Sequence, residues 1–170
     1  MRGEVISYAE LCRRECAPRL RRGMNFGLGG DYSVLLTTRR ELPSPYGDAF
    51  LDGGDRIIYR GHDAPRRLEA VADPRLLDQP AATPTGRPTQ NARFLAAAEG
   101  YRRGERSPER VRLYEKLAVG VWEDLGLFHL VSGWTEHDGR RLVFKFELRS
   151  VESRRAEARP GDDVPHVASV

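Results

Sequence analysis

The chain has 170 residues, 39% hydrophobic and 31% charged, with 28 basic and 25 acidic side chains and a formal net charge of +3. That length suits one domain with a genuine hydrophobic core and some tail. No apolar run approaches the roughly 20 residues of a membrane helix, and Met1-Arg2-Gly3-Glu4 lacks the pattern of a secretory signal, so a cytoplasmic protein without a membrane partner is expected.

The first predicted element is a short amphipathic helix from Ser7, as N-cap, through Tyr8, Leu11 and Cys12. Cys12 and Cys16 are the only cysteines; four residues apart, they fit a disulfide poorly and lack histidines for zinc, and are expected to be ordinary semi-buried thiols. A basic, glycine-rich stretch follows, from Arg19 to Gly30. Asp31 to Thr38 contains Tyr32-Ser33-Val34-Leu35-Leu36, a strand of the buried kind. Glu41 to Asp55 is rich in turn residues, and Arg56-Ile57-Ile58-Tyr59-Arg60 is a second strand, stopped at Gly61.

Residues 62–88 read as loop, and loops of that length inside a compact domain are usually functional or mobile. Pro88 or Thr89 opens a helix in which Phe94, Leu95, Ala98 and Tyr101 recur at helical spacing, and the stretch from Gly104 to Pro108 breaks it. The remainder reads as β: Val111 to Leu117, Val119 to Trp122, Leu127 to Trp134 and Arg141 to Arg149, with a hairpin turn over Thr135-Glu136-His137-Asp138-Gly139. From Glu152 the chain turns charged and then rich in Pro, Gly and Asp. Two parts are therefore expected, a domain over 1–152 and a tail or linker over 153–170. The class is α+β, a curved sheet or barrel carrying two flanking helices.

Chemistry concentrates in Pro45-Tyr46-Gly47-Asp48, Asp52-Gly53-Gly54 and Ile57-Ile58-Tyr59-Arg60-Gly61-His62-Asp63. Reading one base outside the stack needs flat apolar faces on both sides of its ring, each stacked base being worth roughly 1–3 kcal/mol. It also needs an acceptor for the exocyclic amine of cytosine. Tyr46 and Tyr59 can supply the faces if the intervening turn folds back, and Asp48 can supply the acceptor. By spacing alone, tyrosines flanking a turn are more often edge or core residues, and an Asp in a Gly/Pro turn such as Asp48 is more often a turn-former.

The motifs in order decide between these. Arg22-Gly23, Tyr46-Gly47-Asp48, Tyr59-Arg60-Gly61-His62-Asp63, Asp78-Gln79-Pro80, Gly86 and Thr89-Gln90-Asn91 come first. Val111 to Lys116, Gly120-Val121-Trp122, Phe128 to Val131, Trp134 and Val143 to Phe146 follow. Over most of residues 5–150 the chain resembles the SRA (SET- and RING-associated, or YDG) domain, in the bacterial form usually fused to an HNH endonuclease. The resemblance implies a PUA-like curved β-barrel that flips 5-methylcytosine, or a related modified cytosine, out of double-stranded DNA. It also implies a place in a modification-dependent restriction system, with a fused or associated HNH nuclease domain as partner. By position, Tyr46 and Tyr59 resemble the stacking pair and Asp48 the carboxylate on the Watson–Crick edge, while the strand end at Thr37-Thr38 would offer backbone groups to the same base.

Two departures stand out. Family members that read methylated CG place the first tyrosine directly after its strand in a Gly-Gly-Tyr, whereas Arg39-Arg40-Glu41-Leu42-Pro43-Ser44-Pro45 intervenes here. Those members also insert a finger loop with an Asn-Lys-Arg run, where this chain has Ala64-Pro65-Arg66-Arg67. Little dependence on neighbouring bases is therefore expected. Met24, Asn25 and Phe26 are the candidates for a wedge filling the vacated space. Arg21, Arg22, Arg39, Arg40, Arg66 and Arg67 are candidates for phosphate contacts; Thr89 and Asn91 would touch phosphate or cap the helix.

Lys116 and Lys145 are the only lysines, so the positive charge is nearly all arginine, suited to bidentate phosphate contacts. A GC-rich coding sequence produces the same bias. No cofactor, metal or catalytic residue is expected, since His62, His129, His137 and His166 are scattered singly and no nucleophile–base motif occurs. The alternative reading is a PUA-like RNA-binding module, because fold alone does not decide the ligand.

Overall fold

A computed structural model describes residues 2–38, 47–66 and 73–152. The helix after Ser7 forms as predicted. Helix α1 spans Tyr8–Arg14, its first turn closed by the Ser7 hydroxyl accepting from the Glu10 N–H. Cys12 is buried on it, whereas Cys16 lies beyond its end, exposed and at a left-handed φ of 48°. Helix α2 spans Gln90–Arg102, and Thr89 caps it through the Ala92 N–H.

Eight strands make one sheet. In chain order they are β1 (Glu4–Ser7), β2 (Met24–Asn25), β3 (Ser33–Thr38), β4 (Ala49–Leu51), β5 (Arg56–Arg60), β6 (Glu109–Ala118), β7 (Val121–His137) and β8 (Leu142–Ser150). They line up as β2-β3-β6-β7-β8-β5-β4, with β1 added on β7. Only β3 and β6 pair in parallel, and the crossover between them carries α2. β3 is covered on both faces, which explains its nearly unbroken apolar run.

The sequence breaks β7 into two segments; the structure makes it one strand of 17 residues. The interruption, Glu123-Asp124-Leu125-Gly126, is a bulge opposite Leu113 and Tyr114. Gly126 there takes a φ of 87° that few other residues accept, and its N–H donates to the Asp124 carboxylate. Asp124 is fully buried and carries the Arg112 guanidinium, so a charged interruption of the apolar pattern is satisfied inside the sheet. The predicted hairpin turn shifts too: Thr135–His137 stay in β7, and the reversal falls at Asp138–Arg141. Strands β1 and β4 escape the sequence pattern because of their length and place. Only Ile6 of β1 is buried, and β4 is three residues within a turn-rich stretch.

Two apolar clusters hold the sheet. Phe94, Ala97 and Ala98 of α2 pack on Phe128, Phe144 and Phe146, and a side chain at Gly133 would come within 3.2 Å of Ala98, Leu95 and Phe146. On the other side Leu11 and Cys12 of α1 meet Ile6, Val34, Tyr114 and Trp122. The Glu15 carboxylate sits beneath, accepting from the Tyr32 and Tyr114 hydroxyls. Burial pushes the Tyr114 hydroxyl far above the usual phenol range, and the Glu15 carboxylate adds to it.

Two carboxyls at the surface set the acid limit. Arg14 beside Glu4 holds that carboxyl down at about 2. The backbone N–H groups of Arg141 and Arg140 hold Asp138 at about 2, helped by Arg60. Depressed carboxyls stabilise the fold above their unfolded values of 4.5 and 3.8, and lose that contribution as pH falls towards 2. Thermal melts should therefore drop between pH 5 and 2, and Glu4→Gln with Asp138→Asn should make the drop shallower.

Candidate nucleic-acid interface

The sheet curls until its two ends meet, and the meeting point is where the predicted base-reading residues lie. β3 and β5 are separated in the sheet by β6, β7 and β8. Yet the Tyr59 hydroxyl of β5 donates to the Leu36 carbonyl of β3 at 3.1 Å. The glycine-rich stretch closes on the same point. The Leu36 N–H donates to the Gly23 carbonyl at 2.7 Å, and a side-chain carbon on Gly23 would stand 2.8 Å from the Tyr59 oxygen. Tyr59 is only 5% exposed and its ring belongs to the α2-side core. One edge of the site is thus a rigid aromatic wall.

Asp48 lies just before β4, 7% exposed, and both of its oxygens are held. Oδ2 accepts from the Thr37 hydroxyl at 2.6 Å, and Oδ1 accepts from the Arg60 backbone N–H at 2.8 Å. Burial pushes the Asp48 carboxyl above the usual range, against the two hydrogen bonds and the charges of Lys145 and Arg60. The Arg60 guanidinium turns away to Asp138 in the β7–β8 turn. A carboxylate so fixed, beside an aromatic ring, can accept one further hydrogen bond on each oxygen from a planar polar ligand.

No family model matches this chain, and no curated protein matches it. Solved structures do. The SRA domain of SUVH5 in complex with hemimethylated CG DNA superposes with a TM-score of 0.58 at 20% identity, covering 89% of this chain and 88% of that one. The same domain bound to fully hydroxymethylated CG DNA gives a TM-score of 0.59 at 19% identity, with 89% of each chain covered. This chain has the SRA fold. KRYPTONITE in complex with mCHH DNA, an H3(1–15) peptide and SAH superposes with a TM-score of 0.53 at 16% identity, over 89% of this chain and 32% of that one.

The fold brings Asp48 against Thr37 and Tyr59 against the adjacent Leu36, and places several other candidates elsewhere. Tyr46, Arg39, Arg40 and Arg67 lie outside the described residues, as does the expected tail over 153–170. Arg21, Arg22 and Arg66 are exposed and hold no ion pair among the described residues. Arg21 and Arg22 immediately precede Gly23, whose backbone lies against the Tyr59 hydroxyl. Thr38 is half-buried at the end of β3, in register with Lys116.

Three assignments change. Met24 is 2% exposed and packs in the core through the β2–β3 pairing, so it is not placed to enter DNA as a wedge. Phe26 stacks edge-on against Phe94 with ring centres 5.3 Å apart, and its N–H is fixed by Gln90; it too is a packing residue. Asn25, the remaining wedge candidate, spends its amide on the Arg22 carbonyl. Asn91 is 0% exposed and cannot reach phosphate. Its Oδ1 accepts the His62 N–H at 2.9 Å, while its Nδ2 donates to the His62 and Pro80 carbonyls. Thr89 caps α2 and donates to Pro80.

Sequence reasoning missed the parts that hold the site. The Thr37 hydroxyl, rather than its backbone, is what touches Asp48. Gln79 donates to the Gly61 carbonyl and to Asp63, and accepts the Phe144 N–H; Arg141 clamps Asp63 together with the Pro74 and Leu77 carbonyls. These tie the loop after β5 to β8. The Asp78-Gln79-Pro80 motif was the visible signal for them. Among the described residues no group of three or more His, Cys, Asp or Glu could hold a metal, and no helix is long and apolar enough to cross a membrane.

Proposed function

We propose that this chain reads modified cytosine in double-stranded DNA, taking the flipped base between Tyr59 and Tyr46 with Asp48 on its Watson–Crick edge. The observation that supports it best is the buried Asp48 carboxylate, held from both sides by Thr37 and Arg60 next to the Tyr59 ring. Such a carboxylate is costly to bury unless something is gained by it. The SUVH5 structures add that the same fold is found bound to DNA with methylated or hydroxymethylated cytosine. Flipping costs a few kcal/mol, recovered from stacking, pocket hydrogen bonds and phosphate contacts. Arg21, Arg22 and Arg66 supply the phosphate contacts, joined by Arg39, Arg40 and Arg67. The chain itself acts as a binding domain in the cytoplasm, the recognition part of a modification-dependent restriction system whose cutting comes from a fused or associated HNH domain.

A buried methyl is worth about 0.8 kcal/mol, or about fourfold in affinity. Titration of one labelled duplex carrying cytosine, 5-methylcytosine or 5-hydroxymethylcytosine at a single position, at fixed salt, should therefore show a modest preference for a modified base. All three affinities should fall steeply with salt. Equal binding to the three would overturn the reading, and tighter binding to unmodified RNA would favour an RNA-binding module.

A further inference from the structure

The two ends of the Asp48 side chain are both in use before any ligand arrives. Thr37 donates to Oδ2 and the Arg60 N–H donates to Oδ1, each from a strand fixed in the sheet. The carboxyl therefore cannot rotate without losing a bond, and it is only 7% exposed. Each oxygen keeps one lone pair for a further partner. Cytosine presents two adjacent atoms of opposite kind on its Watson–Crick edge: N4 carries hydrogens to donate, and N3 carries a lone pair. A carboxylate, an acceptor on both oxygens, satisfies N4 but sets lone pair against lone pair at N3.

We propose that Asp48 and N3 of the flipped cytosine share one proton, taken up from solvent as the base binds. This rests on the base-reading function proposed above. One oxygen then accepts from N4 and the other donates to N3, while Thr37 and Arg60 keep their bonds to the same two oxygens. No other reactant is needed; the proton comes from water and returns to it on release. Among the described residues, the charged groups acting on Asp48 are Arg60 of β5 and Lys145 of β8, both cations that favour its ionised form. Burial outweighs them and holds the carboxyl above its usual range in the free protein, which lowers the cost of loading the proton.

The test is the affinity for a duplex with one 5-methylcytosine, measured from pH 5.5 to 8.5 at fixed salt. Wild-type affinity should fall with rising pH, by up to about tenfold per unit once free Asp48 is ionised, the limit for one proton. Asp48→Asn carries its donor permanently, so its profile should be flat. A duplex with 3-deaza-5-methylcytosine, where a C–H replaces N3, should flatten the wild-type profile as well. A preference for the methylated duplex with no pH slope would overturn the shared proton and leave base reading intact. A slope that survives in Asp48→Asn would also overturn it. No preference for the modified base at any pH would overturn the base-reading function and this inference together.

Discussion

Asp48→Ala is expected to lower affinity for a methylated duplex about ten- to a hundredfold, to the level of the salt-dependent phosphate background. The magnitude follows from the roughly 1–3 kcal/mol that a good two-point contact to a base edge supplies. The loss should fall on base recognition alone. Arg21, Arg22 and Arg66 are exposed and keep their charges, so the salt-dependent background should persist with the same slope. The fold should survive, because removing a buried carboxyl leaves behind a hydroxyl at Thr37 that can turn elsewhere and one N–H at Arg60. A urea melt run alongside the titration checks this. If the variant binds methylated DNA like the parent, Asp48 does not read the base.

Gly61→Ala is expected to cost about 2–3 kcal/mol of stability, the scale of forcing extra volume into a packed site. The added carbon would stand 2.5 Å from Asn91 Oδ1, 2.8 Å from Gln79 Oε1 and 2.8 Å from the Phe144 side chain. None of these can step aside cheaply. Asn91 is committed to His62 and Pro80, Gln79 to Gly61, Asp63 and Phe144, and Phe144 is core. Denaturant melts should show the midpoint shift with an unchanged slope. Gly47 provides the control, since among the described residues a carbon there would meet only Arg60 Nη1, at 3.9 Å; alanine at that position should melt like the parent. Equal stability of Gly61→Ala and parent would mean that the loop after β5 is not anchored as described.

Both sites show where the information lies. Local signals were sufficient for elements whose cause is local. Ser7 and Thr89 cap their helices through residues three positions away, and β3 and β5 carry short apolar runs bounded by glycine or turn residues. The motif order was sufficient for the SRA fold, and it singled out Asp48 in a turn-rich stretch and Tyr59 on a strand as candidates. It misplaced Met24, Phe26 and Asn91, because a glycine-rich basic loop and a helix start look alike whether their side chains face solvent or core. It divided β7, because the cost of Asp124 inside a strand is met by Arg112 and the Gly126 N–H, neither of which periodicity can see.

The helices, the central strands and the candidates for the chemistry were legible in the sequence itself. Their local propensities and caps act within a few positions along the chain. Only the tertiary structure decided what those residues do. Tyr59 meets Leu36, and Asp48 meets Thr37, because the sheet curls its ends together across three intervening strands. That closure depends on strand register and twist summed over the whole sheet, a property no single segment contains.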